Sequence, residues 1–457
     1  MFSDDTIAAI STPPGRGGIG VIRLSGPDSL TIANSFFRSD SASEPWRPNR
    51  ARFGHVVDPT ADDLIDEAVV TYFKGPRSYT GEDIVEISCH GSPVILTRVL
   101  QLAVQKGARI AEPGEFTFRA FFNRRVDLTQ AQAVRDLINA QTQYQARVAT
   151  KQLEGELSRR LTPFKDSLID IIVHLESSIE FVEEDISPEN SSTLQGKLRA
   201  VIDGLSEIAR SFTFGRYVRE GFDLAIVGRP NVGKSSIFNR LIGVDRAIVT
   251  ALPGTTRDAL YESTSISGIP VRLIDTAGIR ETSDLVESIG VTRSKSAIAD
   301  ADISLLVLDA SDSLNDDDFH LLSHVPAQRR IVTINKSDLP QRLTESSLPS
   351  DGDELTHVSA LTGDGFDVLT SRIFKRLTGT DAAERDDIII TDARQYDAVR
   401  RAIEHVTGGL EMIRQGELEE ILLLRLRGAL SALGEVTGET LTEEILGQIF
   451  STFCIGK

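Results

Sequence analysis

Cysteine is scarce: Cys89 and Cys454 are the only two in 457 residues, too few for a disulfide framework or a cysteine-rich zinc site. Long apolar runs are missing too. No stretch approaches the roughly 20 apolar residues of a membrane-spanning helix, so no membrane span is expected. Asp4 and Asp5 stand where a secretory signal would carry basic residues, and no signal peptide is expected. Positive charge is in deficit. Lys and Arg number 49 against 67 Asp and Glu, for a net charge of −18 and a pI near 4.9. That balance excludes a sequence-independent nucleic-acid coat, so any contact with RNA must use a local basic patch or a partner protein. These absences point to a soluble chain in a reducing, cytoplasmic setting.

What is present is an ordinary globular balance, 40% apolar and 25% charged, in a chain long enough for roughly three domains. The most informative stretch runs from Phe222 to Ser236. Its apolar, β-branched first half reads as a buried strand. Gly228, Gly233, Lys234 and Ser235 then stand in the spacing G-x-x-x-x-G-K-[ST], and Ile237 to Ile242 reads as helix. Strand, glycine-bounded loop and helix make a phosphate-binding loop. Its backbone N–H groups and the helix N-terminus attract phosphate. Lys234 is expected to reach the β- and γ-phosphates and to serve as a catalytic group, with Ser235 ligating Mg²⁺.

Later segments carry the matching parts. Thr250 to Asp258 is a polar, glycine-containing loop in which Thr255 or Thr256 can present a hydroxyl to Mg²⁺. The strand Val271–Ile274 leads into Asp275-Thr-Ala-Gly278, an aspartate for the magnesium shell and a glycine for close approach to the γ-phosphate. Another strand, Arg330–Ile334, leads into Asn335-Lys-Ser-Asp338. A carboxylate there accepts from both N1–H and the 2-amino group of guanine, an arrangement adenine does not offer. Ser359 and Ala360 supply a turn for guanine O6. In this order on strand ends, the segments predict a GTP site with Mg²⁺ on a doubly wound sheet. The expected contacts are Asn231, Val232, Gly233, Lys234, Ser235 and Ser236; Thr250, Ala251, Leu252, Pro253, Gly254, Thr255 and Thr256; Asp275, Thr276, Ala277 and Gly278; Asn335, Lys336, Ser337 and Asp338; and Ser359, Ala360 and Leu361. Ile279 occupies the position of the water-orienting glutamine of Ras-like proteins. Hydrolysis must then use Arg257, Arg280, a carboxylate such as Glu287, or a cation other than Mg²⁺. Asn231 either offers an oxygen to such a cation or only shapes its loop.

Residues 1–122 read as α+β, with strands at Thr6–Ile10, Gly20–Leu24, Ala68–Phe73 and Asp83–Ser88, and a helix from Pro93 to about Val104 capped by Ser92. Gly15 to Gly20 matches G-x-G-x-x-G, but strand-like residues follow it, so it reads as a turn rather than a dinucleotide site. Arg23 and Glu86 are charges within strands, whose bland placement is a solvated face. Cys89-His90 has no companion cluster and reads as structural. Asn123-Arg-Arg125 is a small basic step. Helical periodicity starts at Leu128, with Thr162-Pro163 as a helix start and stripes from Phe164 to Val182 and from Leu194 to Phe212. Ile186–Ser192 reads as a loop between them. The helical pattern resumes after about residue 390 and ends in a capping box at Thr440–Glu443. The fold class that follows is multidomain, α/β plus α+β, with a discontinuous helical domain interrupted by a Ras-like P-loop domain. The expected boundaries are 1–122, 123–219, 220–381 and 382–457. The final Cys454-Ile-Gly-Lys457 fails the prenylation pattern; it either enters a binding site or frays.

The chain resembles the tRNA modification GTPase family (MnmE/TrmE) from end to end. The resemblance is carried by Thr12–Gly20, Ser78–Asp83, Pro113–Phe116, Gly228–Ser236, Gly254–Asp258, Asp275–Gly278, Asn335–Asp338 and Phe453–Lys457. It implies an N-terminal domain that binds tetrahydrofolate and forms a homodimer, a helical domain and an inserted G domain. It further implies a flavin-dependent partner forming a heterotetramer, and tRNA as substrate. The partners add an aminomethyl or carboxymethylaminomethyl group to C5 of the wobble uridine, using a 5-formyl- or methylene-tetrahydrofolate unit. Arg23, Glu86, Arg125 and Lys457 correspond to folate contacts, although the family often has lysine at Arg125. Asn231, the backbone oxygens of Thr250 and Leu252, and Thr255 correspond to K⁺ ligands; Ser235 and Thr256 to Mg²⁺ ligands; Glu287 to the water-orienting glutamate. Cys454 matches the family's terminal cysteine, its role open. Two rivals remain: a regulatory GTP switch without one-carbon chemistry, and a ribosome-assembly GTPase, which the acidic flanks disfavour.

Overall fold

The computed structural model describes residues 5–39, 44–180, 191–244, 261–275, 301–344, 348, 355–379, 390–415 and 419–456. By contact, the chain divides into two compact units. One comprises residues 1–135, 153–158 and 431–457, the other residues 136–152 and 159–430.

In the first unit the strands are β1 (Ile7–Ile10), β2 (Gly17–Ser25), β3 (Phe37–Ser39), β4 (Ala51–Asp58), β5 (Asp63–Phe73), β6 (Ile84–Gly91) and β7 (Arg109–Ile110). They form one sheet in the order β3-β4-β5-β6-β2-β1-β7, antiparallel except for β1 against β7. Side chains alternate across a sheet, so the two faces separate by register. Ile22, Leu24, Val85 and Ile87 are buried in a core with residues of helices α1 (Ser29–Asn34) and α2 (Pro93–Gln105). Ala9, Arg23, Glu86 and Thr71 are register partners on the opposite face. Ala9 packs there with Phe116 of α3 (Glu115–Phe122) and with Tyr79. Strands β3, β4 and β7 are not read from the sequence; β7 has two residues, too short for any period to register. Gly17–Gly20 lies in β2, which continues as strand to Ser25, so no helix opens at these glycines. Ser92 is the N-cap of α2, as expected, but its hydroxyl makes no capping bond.

The helices from Leu128 onward are α4 (Leu128–Asn139), α5 (Gln143–Leu153), α6 (Glu156–Glu180), α7 (Ser191–Arg210) and α8 (Phe212–Glu220). Pro163 does not start a helix. It lies inside α6, where Leu157 and Leu161, both fully buried, hold the turns before it. Ser191 and Ser192 open α7 rather than closing a loop; Val182 and Ile186 lie outside the described residues.

The second unit holds β8 (Phe222–Val227), α9 (Lys234–Val244), β9 (Tyr261–Ile266), β10 (Ile269–Asp275), β11 (Ile303–Asp309), α10 (Asp316–His324), β12 (Arg330–Asn335), β13 (Leu355–His357) and α11 (Phe366–Thr378). The sheet order β13-β12-β11-β8-β10-β9 is parallel except at the β9–β10 hairpin. Both faces are buried, which explains the apolar runs Leu224–Val227 in β8 and Leu305–Leu308 in β11. Leu224, Ile226, Leu305 and Val307 face one core, and Ala225, Val227, Leu306 and Leu308 the other. Val148, Phe214 and Val218 from α5 and α8 join the first of these cores. Helix α12 (Ala393–Gln415) packs against α7, and Tyr396 stacks on Phe212 at 4.3 Å between ring centroids.

Helix α13 (Glu419–Thr437) precedes α14 (Glu443–Ser451). The expected cap at Thr440 is displaced: Thr442 is the N-cap of α14, and Thr440 Oγ1 donates to Ser431 O at 2.9 Å instead. Leu446, Phe450 and Phe453 then join Leu128 and Ala131 in a core of the first unit.

Candidate functional site

The phosphate loop follows β8, which has β11 on one side and β10 on the other, both parallel to it, and so opens at the C-terminal ends of the strands where such sheets bind ligands. Its backbone is unusual at three places, with φ of 157° at Gly228, 65° at Asn231 and 95° at Gly233. Such left-handed residues among ordinary ones turn successive N–H groups to one side, which is how a loop forms an anion cradle. Asn231 is the only one of the three with a side chain, and asparagine tolerates this conformation better than most residues. The ammonium of Lys234 donates to Gly228 O at 2.8 Å and Arg229 O at 2.7 Å. Arg229 pairs with Asp312 at 2.9 Å. Ser235 and Ser236 lie in the first turn of α9, and Val232 is buried.

Asn335, at the end of β12, ties the loops together. Its Nδ2 donates to Val232 O at 2.9 Å, and its Oδ1 accepts from Ala360 N at 3.0 Å. Gly233 makes room for this bridge, because a Cβ there would lie 2.2 Å from Asn335 Nδ2. Asp338 accepts from Ser359 Oγ at 2.6 Å, and Ser337 N donates to Val358 O at 3.1 Å. Lys336, at a φ of 65°, reaches Asp309 at 2.5 Å. Burial alone would raise the Asp309 carboxyl, but Lys336 and the Ser311 hydrogen bonds hold it below the usual carboxylate range. Leu361 is exposed beside this turn. The phosphate loop and both base-side loops therefore converge through one buried amide. The donor set fits a guanine nucleotide: cradle N–H groups, a lysine, a helix-start serine for Mg²⁺, and an oriented carboxylate. Asp275 ends β10. Thr250, Ala251, Leu252, Pro253, Gly254, Thr255, Thr256, Thr276, Ala277, Gly278 and Glu287 lie outside the described residues, as do Arg257, Ile279 and Arg280.

A second constellation lies in the first unit, on the sheet face opposite α1 and α2. Arg23 donates to one oxygen of Glu86 through Nε at 2.9 Å and Nη2 at 2.7 Å. The pair is not on an open solvated face. Its side chains are 16% and 29% exposed, and the guanidinium lies 5.4 Å from the centre of the Tyr79 ring and 5.7 Å from that of Phe116. Burial pushes the Tyr79 phenol up, against a lowering by Thr117 and Arg23.

Tyr79 belongs to the 74–83 loop, which is pinned from behind. Glu82 accepts from Ser25 Oγ at 2.7 Å and from Arg119 at 3.2 Å, and Arg119 also pairs with Asp5 and Glu115. Arg125 Nε donates to Ser78 O at 3.2 Å, which sets it on the same loop. The C-terminal segment also reaches β1: Ser11 Oγ donates to Gly456 O at 3.1 Å, and Gly114 N donates to Cys454 O at 3.3 Å. The tail is thus seated on the unit rather than frayed. Cys454 is an exposed free thiol, and Lys457 lies outside the described residues. Arg23 and Glu86 thus lie beside the Tyr79 ring of this loop and the Phe116 ring of α3, with Arg125 on the same loop, a set able to receive a flat, hydrogen-bonding heterocycle. Tyr79 lies within the Ser78–Asp83 motif that the sequence offers as a signal, whereas Arg119 falls outside every such motif and is found only through its buried ion pairs. His90 pairs with Asp66 at 2.7 Å, with no metal cluster among the described residues.

Known proteins resemble the chain along its whole length. A family model described as the MnmE helical domain matches residues 128–454, and one described as the N-terminus of the GTP-binding protein TrmE matches residues 6–125. The tRNA modification GTPase MnmE of Koribacter versatilis (strain Ellin345) is 47% identical over 460 residues, covering 100% of both chains. That of Aquifex aeolicus (strain VF5) is 45% identical over 454 residues, covering 99% of this chain and 100% of the relative. Among solved structures, the G domain of the T. maritima FeoB iron transporter aligns at 25% identity over 34% of this chain and 98% of that one, with a TM-score of 0.25.

Proposed function

Because the chain belongs to the tRNA modification GTPase (MnmE/TrmE) family, and is with it a GTP hydrolase of tRNA modification, we propose a K⁺-activated cycle linked to one-carbon chemistry at the wobble uridine. The observation that carries the GTPase part is the Asn335 bridge, which joins the phosphate loop at Val232 to the base-side turn at Ala360. Mg²⁺ would be held by Ser235 and Thr256. K⁺ would be held by Asn231, the backbone oxygens of Thr250 and Leu252, and Thr255, supplying positive charge at the phosphates where Ras-like proteins rely on an arginine. Glu287 orients water through a second water molecule in this reading. Lys234 exchanges its two loop carbonyls for phosphate oxygens.

The one-carbon part rests on the first unit. Arg23, Glu86, Arg125 and Lys457 are the proposed tetrahydrofolate contacts. The Glu86 carboxylate fits the donor edge of a pterin, and Tyr79 and Phe116 fit its faces. The bound folate supplies the one-carbon unit; these residues orient it and exclude water. The reading includes a homodimer, G domains that meet during hydrolysis, a flavin-dependent partner in a heterotetramer, a cytoplasmic setting, and the division 1–122, 123–219, 220–381 and 382–457. It also includes the product, an aminomethyl or carboxymethylaminomethyl group on C5 of the wobble uridine. No helix among the described residues is long and apolar enough to cross a membrane.

GTP turnover of the purified chain in matched K⁺ and Na⁺ buffers tests the cycle. Faster turnover in K⁺ is expected, and equal rates overturn it. Titration with 5-formyltetrahydrofolate tests the folate site: binding that Arg23→Ala abolishes is expected, and binding indifferent to Arg23→Ala overturns it.

A further inference from the structure

Of the basic step Asn123-Arg124-Arg125, only Arg125 enters the proposed folate site. Arg124 is exposed in the turn after α3 at a φ of 57°, a conformation that costs a non-glycine residue free energy. The 74–83 loop lies against this turn. Asn123 Nδ2 donates to Thr80 O at 2.8 Å, Arg125 Nε to Ser78 O at 3.2 Å, and a Cβ on Gly81 would stand 3.0 Å from that of Asn123. Two acids of that loop are engaged inward: Glu82 with Ser25 and Arg119, and Asp83 with Tyr72 OH and Gly75 N. Lys74 and Arg77 are exposed. Among the described residues, no hydrogen bond or ion pair engages the side chain of Lys74, Arg77 or Arg124. Three uncompensated cations therefore stand on two stitched loops, in a chain whose net charge is −18. Phe122, the last residue of α3 and two positions before Arg124, is 61% exposed.

We propose that Lys74, Arg77, Phe122 and Arg124 form a docking surface for an unpaired stretch of RNA, the loop of tRNA carrying the base to be modified. The inference rests on the family's action on tRNA and adds the place where RNA is held. Cations on a rigid platform attract successive phosphates. An exposed aromatic side chain beside arginines stacks an unpaired base, as single-stranded RNA requires. A carboxylate chain, such as the glutamyl tail of a folate, would engage the cations but make no use of the Phe122 ring. Ser78 and Tyr79 follow Arg77 directly, so a base held here lies within a few residues of the Arg23–Glu86 site. The arrangement also answers the composition, since an acidic chain must confine its RNA contact to a local patch.

The test is fluorescence anisotropy of the full chain with a labelled RNA hairpin bearing an anticodon-type loop, measured across a salt series. Arg77→Gln combined with Arg124→Asn removes two charges, and asparagine suits the left-handed turn. This double variant should weaken binding and flatten the slope of log affinity against log salt by about 1.4, roughly 0.7 for each phosphate no longer neutralised. Phe122→Ala should weaken binding about tenfold or more, and Phe122→Trp should restore it. GTP turnover and 5-formyltetrahydrofolate binding should stay at wild-type levels; these readouts separate failure here from failure of the folate reading. Arg77→Lys with Arg124→Lys keeps the charge and should keep the salt slope. Hairpin affinity and slope unchanged in the double variant overturn the proposal, as does absence of hairpin binding by the wild-type chain at low salt. Loss of affinity for a glutamyl-extended folate without loss for the hairpin also overturns it.

Discussion

Asn231 shows how one side chain carries two roles that a substitution must separate. Its φ of 65° means that Asn231→Ala would strain the phosphate loop as well as remove an oxygen. Asn231→Gly keeps the backbone and removes only the side chain. It is expected to retain GTP binding within a few-fold while losing K⁺ activation, read from nucleotide affinity and turnover in K⁺ and Na⁺. K⁺ activation unchanged in Asn231→Gly would instead assign Asn231 to loop shape alone. The two cysteines divide as sharply. Cys89 is buried in the sheet core, and burial, with Asp66 adding to it, pushes its thiol up to about 12. Cys454 is exposed. Native protein treated with a thiol reagent at neutral pH should therefore label at Cys454, with Cys89 reacting only after unfolding, as peptide mapping would show. Arg23 and Glu86 were legible as charges in strands, but not as a pair. Their meeting depends on β2–β6 register, and the rings that enclose them come from distant segments.

At the scale of the element, periodicity located most helices and failed where two signals competed. Thr162-Pro163 looks like a helix start, because proline is well suited to the first turn. Leu157 and Leu161 are fully buried, and their burial outweighs the backbone bond that proline forfeits inside α6. Pro163→Ala should restore that bond. Amide exchange in residues 156–170 should slow, with a local gain of about 1–3 kcal/mol; unchanged exchange would show that the helix is already relaxed around the proline. A similar competition moved the cap of α14. Thr440 is used at the end of α13, leaving Thr442 to cap the helix carrying Phe450. The short strands β3 and β7 carry too few residues to show any period, and their existence follows from their partners.

For the whole molecule, the β9–β10 hairpin is a point where the nucleotide-binding sheet meets the helices of its own unit. Thr142 Oγ1 donates to Gly268 O at 2.6 Å, and a Cβ at Gly268 would lie 2.9 Å from that of Tyr144. Nearby, Arg219 pairs with Asp136 at 3.0 Å and with Asp392 at 2.5 Å, all three side chains largely buried. Burial alone would raise Asp392, but Arg219 more than offsets it and the carboxyl sits below the usual range. A lowered folded pKa stabilises above the unfolded value, about 3.9, and the contribution disappears as pH falls through the folded value. Asp392→Asn should therefore cost about 3–5 kcal/mol at pH 7 by leaving Arg219 short of a partner. The urea midpoints of variant and wild type should converge as the buffer is taken well below pH 4; a constant difference would mean that the loss is one of shape rather than charge. Contiguous stretches specify the phosphate loop, the guanine-reading segment and the strands that present them, because each is a local pattern whose chemistry lies in its own spacing. Long-range packing supplied the rest: the Asn335 bridge, the enclosed Arg23–Glu86 pair, and the C-terminal tail seated on Ser11. Those contacts join residues from 25 to 445 positions apart, and only the folded chain holds such distant groups within hydrogen-bonding reach.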